Sequence, residues 1–396
     1  MIAAYTIGDP TTRNTAASLL KEGWSVTVIQ EIPNNFNTPV GPPGIKVITT
    51  PTFSSPFLPK QLRSLLRWLA LLTYVRGQLL FSDFDLVVTF MHRPLAALPG
   101  LNRKGFRLIS CIYDIPTLIG QGAMDKMTIA RGWAQLKHAD IIWASDLYRA
   151  QLTQRFAKLD LLPIVCHNCP PIAYVPNPIP SDDRLWLRAQ LQAQGAPISL
   201  TSGSIMIRAV AIGDLCGIED TLVAMQSLPE DHVFLLMGRP SESYVNKITI
   251  LIKELTLAKR VFFWDKPSDE VWKKALMGAD IGHLIHVCPE EAVANQLFAF
   301  NSSLSNYRLF NYLAVGLPII CHVDDRLRAL QEEVCCFKTV RQAHLINDIG
   351  VAWTALASQK AQYQAMREAA IKAFQNIYHW ENQFRPINAK IQEYAD

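Results

Sequence analysis

The sequence predicts an α/β protein with two doubly wound domains. Short apolar runs of strand length alternate along most of the chain with longer segments of helical periodicity, a pattern typical of a parallel sheet covered by helices. The chain has 396 residues, of which 49% are hydrophobic, so it can bury a large core but exceeds the usual size of one domain. A proline-dense stretch at 170–180 separates two such alternating halves.

The first half contains seven apolar runs that we expect to form strands. They are Ile2–Ile7, Val26–Ile29, Ile45–Ile48, Leu86–Phe90, Leu108–Tyr113, Ile141–Ala144 and Ile164–His167. Thr12–Gly23 lies between the first two and is predicted to be a helix, because its glycine can adopt the left-handed conformation that ends helices. A strand, a helix and a second strand in this order form a Rossmann-like beginning.

The proline-dense stretch is predicted to join the two domains. Its five prolines exclude a helix or a central strand. We place the first domain at residues 1–172, the linker at 173–180 and the second domain at 181–376. The second half then has apolar runs at Ile198–Thr201, Val233–Met237, Val261–Phe263, Ile281–Ile285 and Pro318–His322, with helical patterns at Ile218–Gln226 and Glu270–Met277.

The segment 305–320 is the best clue to function. Leu309, Tyr312 and Leu313 recur at helical spacing, Gly316 can end the helix, and Pro318 opens an apolar strand. A helix placed in this way presents its N-terminus at one edge of a parallel sheet. Its free backbone N–H groups and its dipole can hold a phosphate there.

The charge distribution restricts the possible partners. The net charge is +4 at pH 7, with +7 in residues 1–190 and −3 in the remainder. Because the basic residues are dispersed and no nucleic-acid motif occurs, we expect an anionic acceptor or a membrane surface and no nucleic acid. Met1–Gly8 lacks the basic start of a secretory signal, so a cytoplasmic location is expected. The eight cysteines lack the spacing of a disulfide framework.

Six segments of the chain resemble one known family. They are Asn14–Ile29, Lys137–Ser145, His167–Pro170, Gly217–Leu222, Ala279–Gly282 and Ser305–Ile320. They are similar to segments of retaining GT-B glycosyltransferases of the family 4 type, also called glycosyl transferases group 1. The resemblance implies two Rossmann-like domains that face each other across a cleft, with the nucleotide sugar held by the second domain. It also implies that residues 377–396 form a closing helix that packs back on the N-terminal domain.

The donor site of such an enzyme needs cations and backbone N–H donors, because negative charge grows on the departing diphosphate. Gly203 and Ser204 follow a predicted strand, and the glycine would let the backbone approach a ligand. The family has an arginine or lysine shortly after this point. The resemblance therefore implies that Arg208 clamps phosphate oxygens, while an ordinary surface arginine is the alternative.

The predicted helix at 305–316 supplies the other donor-binding candidates. Ser303, Leu304 and Ser305 can aim backbone amides at a phosphate, although a plain serine-capped helix would look the same. Arg308 stands where the family's motif has a lysine. The family usually carries two glutamates at the positions of Leu304 and Asn311. Asparagine can still bond a ribose hydroxyl, whereas leucine cannot replace a carboxylate.

The acceptor side has fewer candidates. Asp114 follows the fifth predicted strand, where doubly wound sheets bind ligands, and is the first candidate catalytic residue. The family commonly has a histidine where this chain has Pro116. His92, after the fourth strand, is the second candidate catalytic residue. Gly8 and Asp9 follow the first strand and could form an acceptor-side loop, but tight turns explain these residues equally well.

No metal and no other cofactor is predicted. Asp83-Phe84-Asp85 has the Asp-x-Asp pattern of metal-dependent glycosyltransferases, but it precedes its strand, which is the wrong end for a ligand site. Cys166 and Cys169 would need further ligands at zinc spacing, and the sequence does not offer them. GT-B enzymes generally use a helix dipole and basic side chains in place of a metal, so the resemblance implies a metal-independent reaction.

The segment 60–80 combines four basic residues with leucines and a tryptophan in an amphipathic pattern suited to a membrane interface. Its charges are too many for a bilayer span. A core-packed helix with solvated arginines is the alternative. If the segment contacts the inner face of the membrane, we expect the acceptor to be linked to a lipid.

These observations predict a glycosyltransferase that moves a sugar from a UDP- or GDP-linked donor to a saccharide or lipid-linked acceptor in cell-surface glycan synthesis. Retention and metal independence are part of this prediction. Two alternatives stay open. One is a catalytically degenerate GT-B module that binds a glycan or a partner transferase. The other is a sugar-nucleotide epimerase, which would need acid–base carboxylates in its cleft.

Overall fold

The computed structural model describes residues 1–4, 6–31, 42–51, 57–98, 105–113, 123–176, 178–210, 212–238, 240–265, 267–287, 307–323 and 325–394. These residues form two compact units. The described residues of Met1–Cys169 and Trp380–Asp396 form the first unit, and those of Pro170–Asn295 and Ser302–His379 form the second. Each unit contains a parallel sheet and accompanying helices, which confirms the predicted α/β class.

The described residues of the first unit form a seven-stranded parallel sheet. Its strands are β1 (Ile2–Ala4), β2 (Thr27–Gln30), β3 (Lys46–Thr49), β4 (Leu86–Phe90), β5 (Arg107–Ile112), β6 (Ile141–Ala144) and β7 (Ile164–Val165). Their order in the sheet is β3-β2-β1-β4-β5-β6-β7. The helices are α1 (Pro10–Lys21), α2 (Lys60–Phe81), α3 (His92–Leu95), α4 (Ala123–Leu136) and α5 (Leu147–Ala157). All seven predicted strands are therefore present.

The described residues of the second unit form a six-stranded parallel sheet. Its strands are β8 (Ser204–Val210), β9 (His232–Gly238), β10 (Val261–Asp265), β11 (Ile281–Leu284), β12 (Ile319–His322) and β13 (Phe337–Val340). Their order is β10-β9-β8-β11-β12-β13. The helices are α6 (Ser181–Ala193), α7 (Ile218–Ala224), α8 (Glu242–Glu254), α9 (Asp269–Gly278), α10 (Tyr307–Val315), α11 (Asp325–Val334), α12 (Leu345–Ser358) and α13 (Lys360–Asn376).

Helix α10 is the amphipathic helix that the segment 305–320 predicts. Leu309, Tyr312 and Leu313 are fully buried. Gly316 follows the helix with φ 71°, the left-handed conformation that we expected of it. A Cβ atom at this glycine would also lie 2.8 Å from the Ile371 side chain on α13, so packing restricts the position as well.

The first strand of the second sheet corrects one prediction. We expected a strand at 198–201, but β8 begins at Ser204 and runs to Val210. The error arose because Arg208 interrupts the apolar run of the true strand, and a charged residue in mid-strand argues against a buried strand. The strand β13 was also missed, because its half-buried lysine and exposed threonine weaken the apolar pattern.

Gly203 precedes β8 at a position that excludes a side chain. Its φ is 78°, and a Cβ atom would lie 2.2 Å from the Asp231 carbonyl oxygen. We expect Gly203→Ala to lower the free energy of unfolding by about 3 kcal/mol or more, through backbone strain and this clash. Gly195→Ala is the control, because Gly195 has φ 88° but no atom within 4 Å of the added Cβ. Equal losses of thermal stability in the two variants would contradict the role of the clash.

The last helix, α14 (Trp380–Gln392), belongs to the first unit. Its buried residues join a core that includes residues of β1, β4 and β6; they are Trp380, Phe384, Ile387 and Ile391. The Trp380 indole N–H donates to Ser18 Oγ on α1 at 2.9 Å. The backbone N–H of His167 donates to Gln383 Oε1 at 3.2 Å. Apolar packing and these two hydrogen bonds fix the helix on the first sheet.

Helix α2 has apolar residues on opposite sides. Trp68, Leu71, Val75 and Leu79 are buried in the core of the first unit. Other apolar residues of α2 are exposed, namely Leu62, Leu69, Leu80 and Phe81. Among the described residues, no helix combines the length and the apolar character that crossing a membrane requires.

Candidate active site

A cluster of buried polar side chains lies in the second unit, where β8 and β11 approach their carboxyl ends. It comprises Arg208 on β8, His283 on β11, and Arg308, Asn311 and Tyr312 on α10, and we call it the Arg208 cluster. Each of the five residues is at most 1% exposed. Ligands of doubly wound sheets bind at the carboxyl ends of the strands. The cluster therefore occupies the edge where a ligand site is expected.

Arg208 is held by the neighbouring strand. Its Nη1 atom lies 2.9 Å from His283 Nδ1 and donates to the Ile285 carbonyl oxygen at 2.9 Å. His283 Nε2 lies 3.0 Å from Thr221 Oγ1, and the Thr221 hydroxyl donates to the Gly217 carbonyl oxygen at 2.7 Å. Because the Thr221 hydroxyl donates its proton to the Gly217 carbonyl oxygen, it can only accept a hydrogen bond from His283. His283 therefore donates from Nε2 and accepts from Arg208 at Nδ1. The histidine is thus a neutral positioning residue for the guanidinium.

The electrostatics of the cluster agree with this tautomer. Burial, and then the charges of Arg208 and Arg308, hold the pKa of His283 well below its usual range. Burial and repulsion from Arg208 also lower the pKa of Arg308. The guanidinium groups of Arg208 and Arg308 are therefore both buried and close enough to repel each other. A negatively charged ligand at this edge would relieve that repulsion.

Asn311 is the most informative member of the cluster. Its side chain is 1% exposed, and neither Nδ2 nor Oδ1 has a hydrogen-bond partner among the described residues. An unsatisfied buried amide costs about 1–3 kcal/mol, so a position of this kind usually serves a ligand or another functional need. Asn311 lies one turn after Arg308 on α10. An amide that can donate and accept thus stands beside a cation.

Tyr312 fixes α10 against the sheet. Its hydroxyl donates to the Ile207 carbonyl oxygen at 3.0 Å and accepts from the Ala209 backbone N–H at 3.2 Å. Its ring lies against Gly282, where a Cβ atom would come within 2.6 Å of a ring carbon. These contacts hold α10 close to β8 and β11, which places Arg308 and Asn311 next to Arg208.

The cluster contains functional candidates that sequence reasoning missed. His283, Thr221 and Tyr312 were not predicted as site residues. A further missed histidine, His286, lies just beyond β11, and its backbone N–H donates to His322 Nδ1 at 3.2 Å. Burial and then the charge of Arg208 lower the pKa of His286. The available signal was a pair of histidines at the end of the apolar run Ile281–Ile285, a run from which we predicted only a strand.

The structure separates the predicted donor-binding residues. It brings Arg208, Arg308 and Asn311 together. Gly203 instead precedes β8 and Ser204 is its first residue, so both lie at the amino end of the strand, and the Ser204 hydroxyl accepts from the Trp353 indole N–H at 2.6 Å. This corrects the assumption that they follow a strand. They lie at the edge opposite to the one where doubly wound sheets bind ligands, so the geometry gives them a packing role.

Other predicted residues fall outside the described ranges. Ser303, Leu304 and Ser305 precede α10, and Asp114 follows β5 with Pro116 two positions later. Their structure is therefore not part of the site that we describe.

The predicted acceptor-side residues lie in the first unit. Asp9 is the N-cap of α1, and its carboxylate accepts from the Thr12 backbone N–H at 2.9 Å and from the Thr12 hydroxyl at 3.1 Å. Burial raises the pKa of Asp9. Gly8 is exposed beside it, and its N–H donates to Thr6 Oγ1 at 3.1 Å. The turn-forming alternative accounts for the observed contacts of both residues.

His92 opens α3 at the carboxyl end of β4. The preceding residue, Met91, has φ 67°, a conformation that favours glycine and costs about 1–3 kcal/mol in other residues. A Cβ atom at Gly132 on α4 would lie 2.6 Å from the His92 carbonyl oxygen, so α4 packs directly on this turn. The backbone around His92 is thus strained and closely packed, which is compatible with a functional position.

The described residues contain no group of three or more His, Cys, Asp or Glu side chains placed to hold a metal ion. Asp83 and Asp85 lie before β4, and the Asp85 carbonyl oxygen accepts from the Arg107 backbone N–H at 2.8 Å. The seven cysteines that the structure describes form no disulfide with one another.

The buried His283 predicts a pH dependence of stability. Above its ordinary pKa of 6.5, the imidazole is neutral in both the folded and the unfolded chain. Below that pH the imidazole of His283 binds a proton in the unfolded chain but stays neutral in the folded chain. The free energy of unfolding should then fall by about 1.4 kcal/mol per pH unit for this histidine, until its folded pKa is reached. This dependence is measured by thermal unfolding at a series of pH values from about 7.5 to about 5, with a buffer suited to each pH.

His283→Gln should make the pH dependence shallower. His344→Gln is the control, because His344 is exposed on the same unit. The same loss of stability on acidification in wild type and His283→Gln would contradict the assignment.

No family model matches this chain, and no curated protein sequence matches it. Several solved structures are similar. HepE from Anabaena in complex with UDP-glucose has a TM-score of 0.69 at 13% identity, over 99% of each chain. Sucrose-phosphate synthase from Thermosynechococcus elongatus has a TM-score of 0.72 at 16% identity, over 100% of this chain and 98% of its own. The chain has the GT-B fold.

A third GT-B structure agrees with this result. WaaG, a glycosyltransferase involved in lipopolysaccharide biosynthesis, has a TM-score of 0.65 at 14% identity, over 98% of this chain and 99% of its own. The predicted GT-B architecture is confirmed by likeness over nearly the whole chain. At these identities the likeness establishes the fold, while the roles of residues in this GT-B chain depend on its own geometry.

Proposed function

We propose that this protein is a glycosyltransferase that takes a sugar from a nucleoside diphosphate donor, UDP- or GDP-linked. The observation that carries the proposal is the buried pair Arg208 and Arg308 at the carboxyl edge of the second sheet. The GT-B fold supports it, because HepE was solved with UDP-glucose. Two cations and a buried amide at this edge suit a diphosphate and a ribose better than an uncharged ligand.

The chemistry follows from the charges. As the bond between the sugar and the diphosphate breaks, negative charge grows on the departing phosphate oxygens. Arg208 and Arg308 would stabilise that charge, with a larger effect in a buried site than in water. His283 keeps Arg208 in place and, being neutral, adds no competing proton at Nδ1. Asn311 would exchange hydrogen bonds with a ribose hydroxyl.

The finer parts of the proposal concern the reaction and its setting. The transfer proceeds with retention, as the resemblance to family 4 implies, and without a metal, because the two guanidinium groups can neutralise the leaving group. The acceptor is a saccharide or a lipid-linked saccharide used in cell-surface glycan synthesis, and the protein works in the cytoplasm. His92 and Asp114 remain candidate catalytic residues, and Gly8 and Asp9 remain candidates for the acceptor side.

Binding and turnover of nucleotides test the proposal. The thermal unfolding temperature is measured with UDP, GDP, ADP, TDP and CMP, and then transfer from the matching sugar nucleotides is measured with and without EDTA. We expect one nucleoside diphosphate to raise the unfolding temperature and its sugar nucleotide to be consumed equally in EDTA. No shift with any nucleotide would contradict the proposal. Binding without turnover would favour the degenerate module, and epimerisation of the sugar nucleotide would favour the epimerase.

Membrane contact through 60–80 is a further part of the proposal, and the exposed apolar residues of α2 would make it. The segment 60–81 contains no acidic residue. Arg67 lies 3.8 Å from Glu31, and Arg76 donates to the Ala97 carbonyl oxygen at 3.0 Å, so these arginines turn toward the protein. Leucine side chains supply the contact instead.

The double variant Leu69→Glu with Leu80→Glu should reduce binding to vesicles of phosphatidylethanolamine and phosphatidylglycerol by about tenfold or more, because two apolar contacts are lost. Sedimentation with vesicles measures the bound fraction. Val351→Glu is the control, because Val351 is an exposed apolar residue of the second unit. Equal binding of the double variant and the wild type would exclude contact through α2.

A further inference from the structure

A small cavity lies in the second unit, at the edge of the sheet opposite to the Arg208 cluster. Its volume is about 180 Å³, and it is lined by α6, α13, the end of α9 and the turn before β11. Its polar side chains include Arg184, Arg188, Asp280, Tyr363 and Arg367. Asp280 directly precedes β11, and Arg188 donates to the carbonyl oxygens of Ser202 and Gly203, which precede β8. The cavity therefore lies at the amino ends of these strands.

One arginine of the cavity is balanced by a carboxylate. Arg188 Nη2 lies 2.6 Å from Asp280 Oδ2. The same carboxylate oxygen accepts from the Ile205 backbone N–H at 2.8 Å. Arg188 also donates to the Ser199 carbonyl oxygen at 3.2 Å. This pair therefore ties the start of β8 to the start of β11, and its hydrogen bonds serve the fold.

The second arginine, Arg367, has a buried donor atom that no described residue engages. Arg367 is 6% exposed, and its Nη1 atom donates to the Tyr363 hydroxyl at 3.3 Å. That hydroxyl donates in turn to the Asp280 carbonyl oxygen at 3.0 Å, so Arg367 is held in place. Its Nη2 atom is buried and has no hydrogen-bond partner among the described residues. A buried guanidinium donor without an acceptor is costly unless a ligand supplies one.

The third arginine adds an uncompensated charge. Arg184 is exposed, and its side chain makes no hydrogen bond or ion pair with a described residue. Burial of part of the side chain, and then the charge of Arg367, lower the pKa of Arg184. Among the described residues, three guanidinium groups thus line the cavity with one carboxylate, which Arg188 already engages. An anion between Arg184 and Arg367 would satisfy both.

We propose that this cavity binds a phosphate group, either as inorganic phosphate or as the monoester of a small molecule. A tetrahedral oxyanion can accept from Arg367 Nη2 and from Arg184 at the same time, since its oxygens point in different directions. The cavity is several times larger than the volume of one water molecule, so an oxyanion fits. The site is separate from the Arg208 cluster and does not depend on the proposed transferase activity.

Calorimetry on the full chain tests the proposal with inorganic phosphate and glucose 6-phosphate, at constant ionic strength adjusted with chloride. We expect saturable binding by the wild type. Arg367→Met and Arg184→Gln should each weaken it about tenfold or more, because each removes a charged hydrogen-bond donor. Arg341→Gln is the control, since Arg341 is an exposed arginine of the same unit paired with Asp348.

Two comparisons identify the ligand and the place where it binds. Tighter binding of glucose 6-phosphate than of phosphate would identify a monoester, and the reverse order would identify the free anion. A saturating nucleoside diphosphate should leave the phosphate affinity unchanged. Displacement of phosphate by the nucleotide would place the anion in the donor site and overturn the proposal.

The proposal also fails if the wild type shows no saturable heat with either ligand. It fails equally if Arg184→Gln binds phosphate as well as the wild type does. This second variant alters an exposed side chain, so it tests the cavity even if Arg367→Met does not fold.

Discussion

Arg208→Met is expected to weaken the binding of a nucleoside diphosphate by about 100-fold or more. Two charge-assisted hydrogen bonds to phosphate oxygens, each with a net value of about 1.5–3 kcal/mol, correspond to a loss of that size. Methionine keeps most of the length of the side chain and fills the space with apolar atoms. The variant leaves His283 Nδ1 and the Ile285 carbonyl oxygen without this donor, but it also removes the repulsion between two buried guanidinium groups, so we expect it to remain folded.

Isothermal calorimetry with the nucleotide that stabilises the wild type measures this loss. Arg341→Met is the matched control, because it removes an arginine from the surface of the same unit. The His283→Gln variant should show an intermediate loss, since it replaces the rigid imidazole acceptor that orients Arg208 Nη1 with a flexible amide. A folded Arg208→Met protein with wild-type nucleotide affinity would show that the Arg208 cluster is not the donor site.

Asn311→Leu is expected to change stability and binding in opposite directions. Without ligand, leucine removes an amide that is buried and unsatisfied among the described residues, so the free energy of unfolding should rise by about 1–3 kcal/mol. With ligand, the variant cannot bond a ribose hydroxyl, and nucleotide affinity should fall about tenfold or more. A residue that costs stability and is needed for binding is typical of a functional site.

Thermal unfolding with and without the nucleotide measures both effects in one experiment. Asn311→Asp is the control, because a carboxylate of similar size can still accept from a ribose hydroxyl. If Asn311→Leu unfolds at a lower temperature than the wild type, the amide is bonded within the protein and the ligand argument fails. If stability rises and affinity does not change, Asn311 lies outside the ribose contact.

Much of the fold could be predicted from the sequence because its signals are local. Apolar runs of strand length indicated all seven strands of the first sheet, and helical spacing indicated α10 with its stop at Gly316. Where the local pattern was broken, the prediction failed. The strand β8 carries Arg208 in its middle, so we placed the strand six residues too early, and Gly203 and Ser204 were assigned to the wrong edge of the sheet.

The candidate site could be predicted only in part. Arg208, Arg308 and Asn311 were selected from a resemblance to a family, which indicates residue types at given positions but not their contacts. His283, Thr221 and Tyr312 lack such a signal, because a histidine or tyrosine among apolar residues is indistinguishable from ordinary core. The cavity that contains Arg184 and Arg367 was not predicted, since the two arginines are far apart in the sequence and no local pattern joins them.

The sequence by itself determined the α/β class, the order of most strands and helices, and the position of the helix that carries Arg308 and Asn311. Periodicity and glycine placement act over a few residues and can be interpreted without knowing the partners of each element. Only the tertiary structure decided that Arg208 is buried and bonded to His283, which is 75 residues away in the chain. Burial, hydrogen-bond partners and shifted pKa values arise from contacts between distant segments, and these exist only after the strands have taken their places in the sheet.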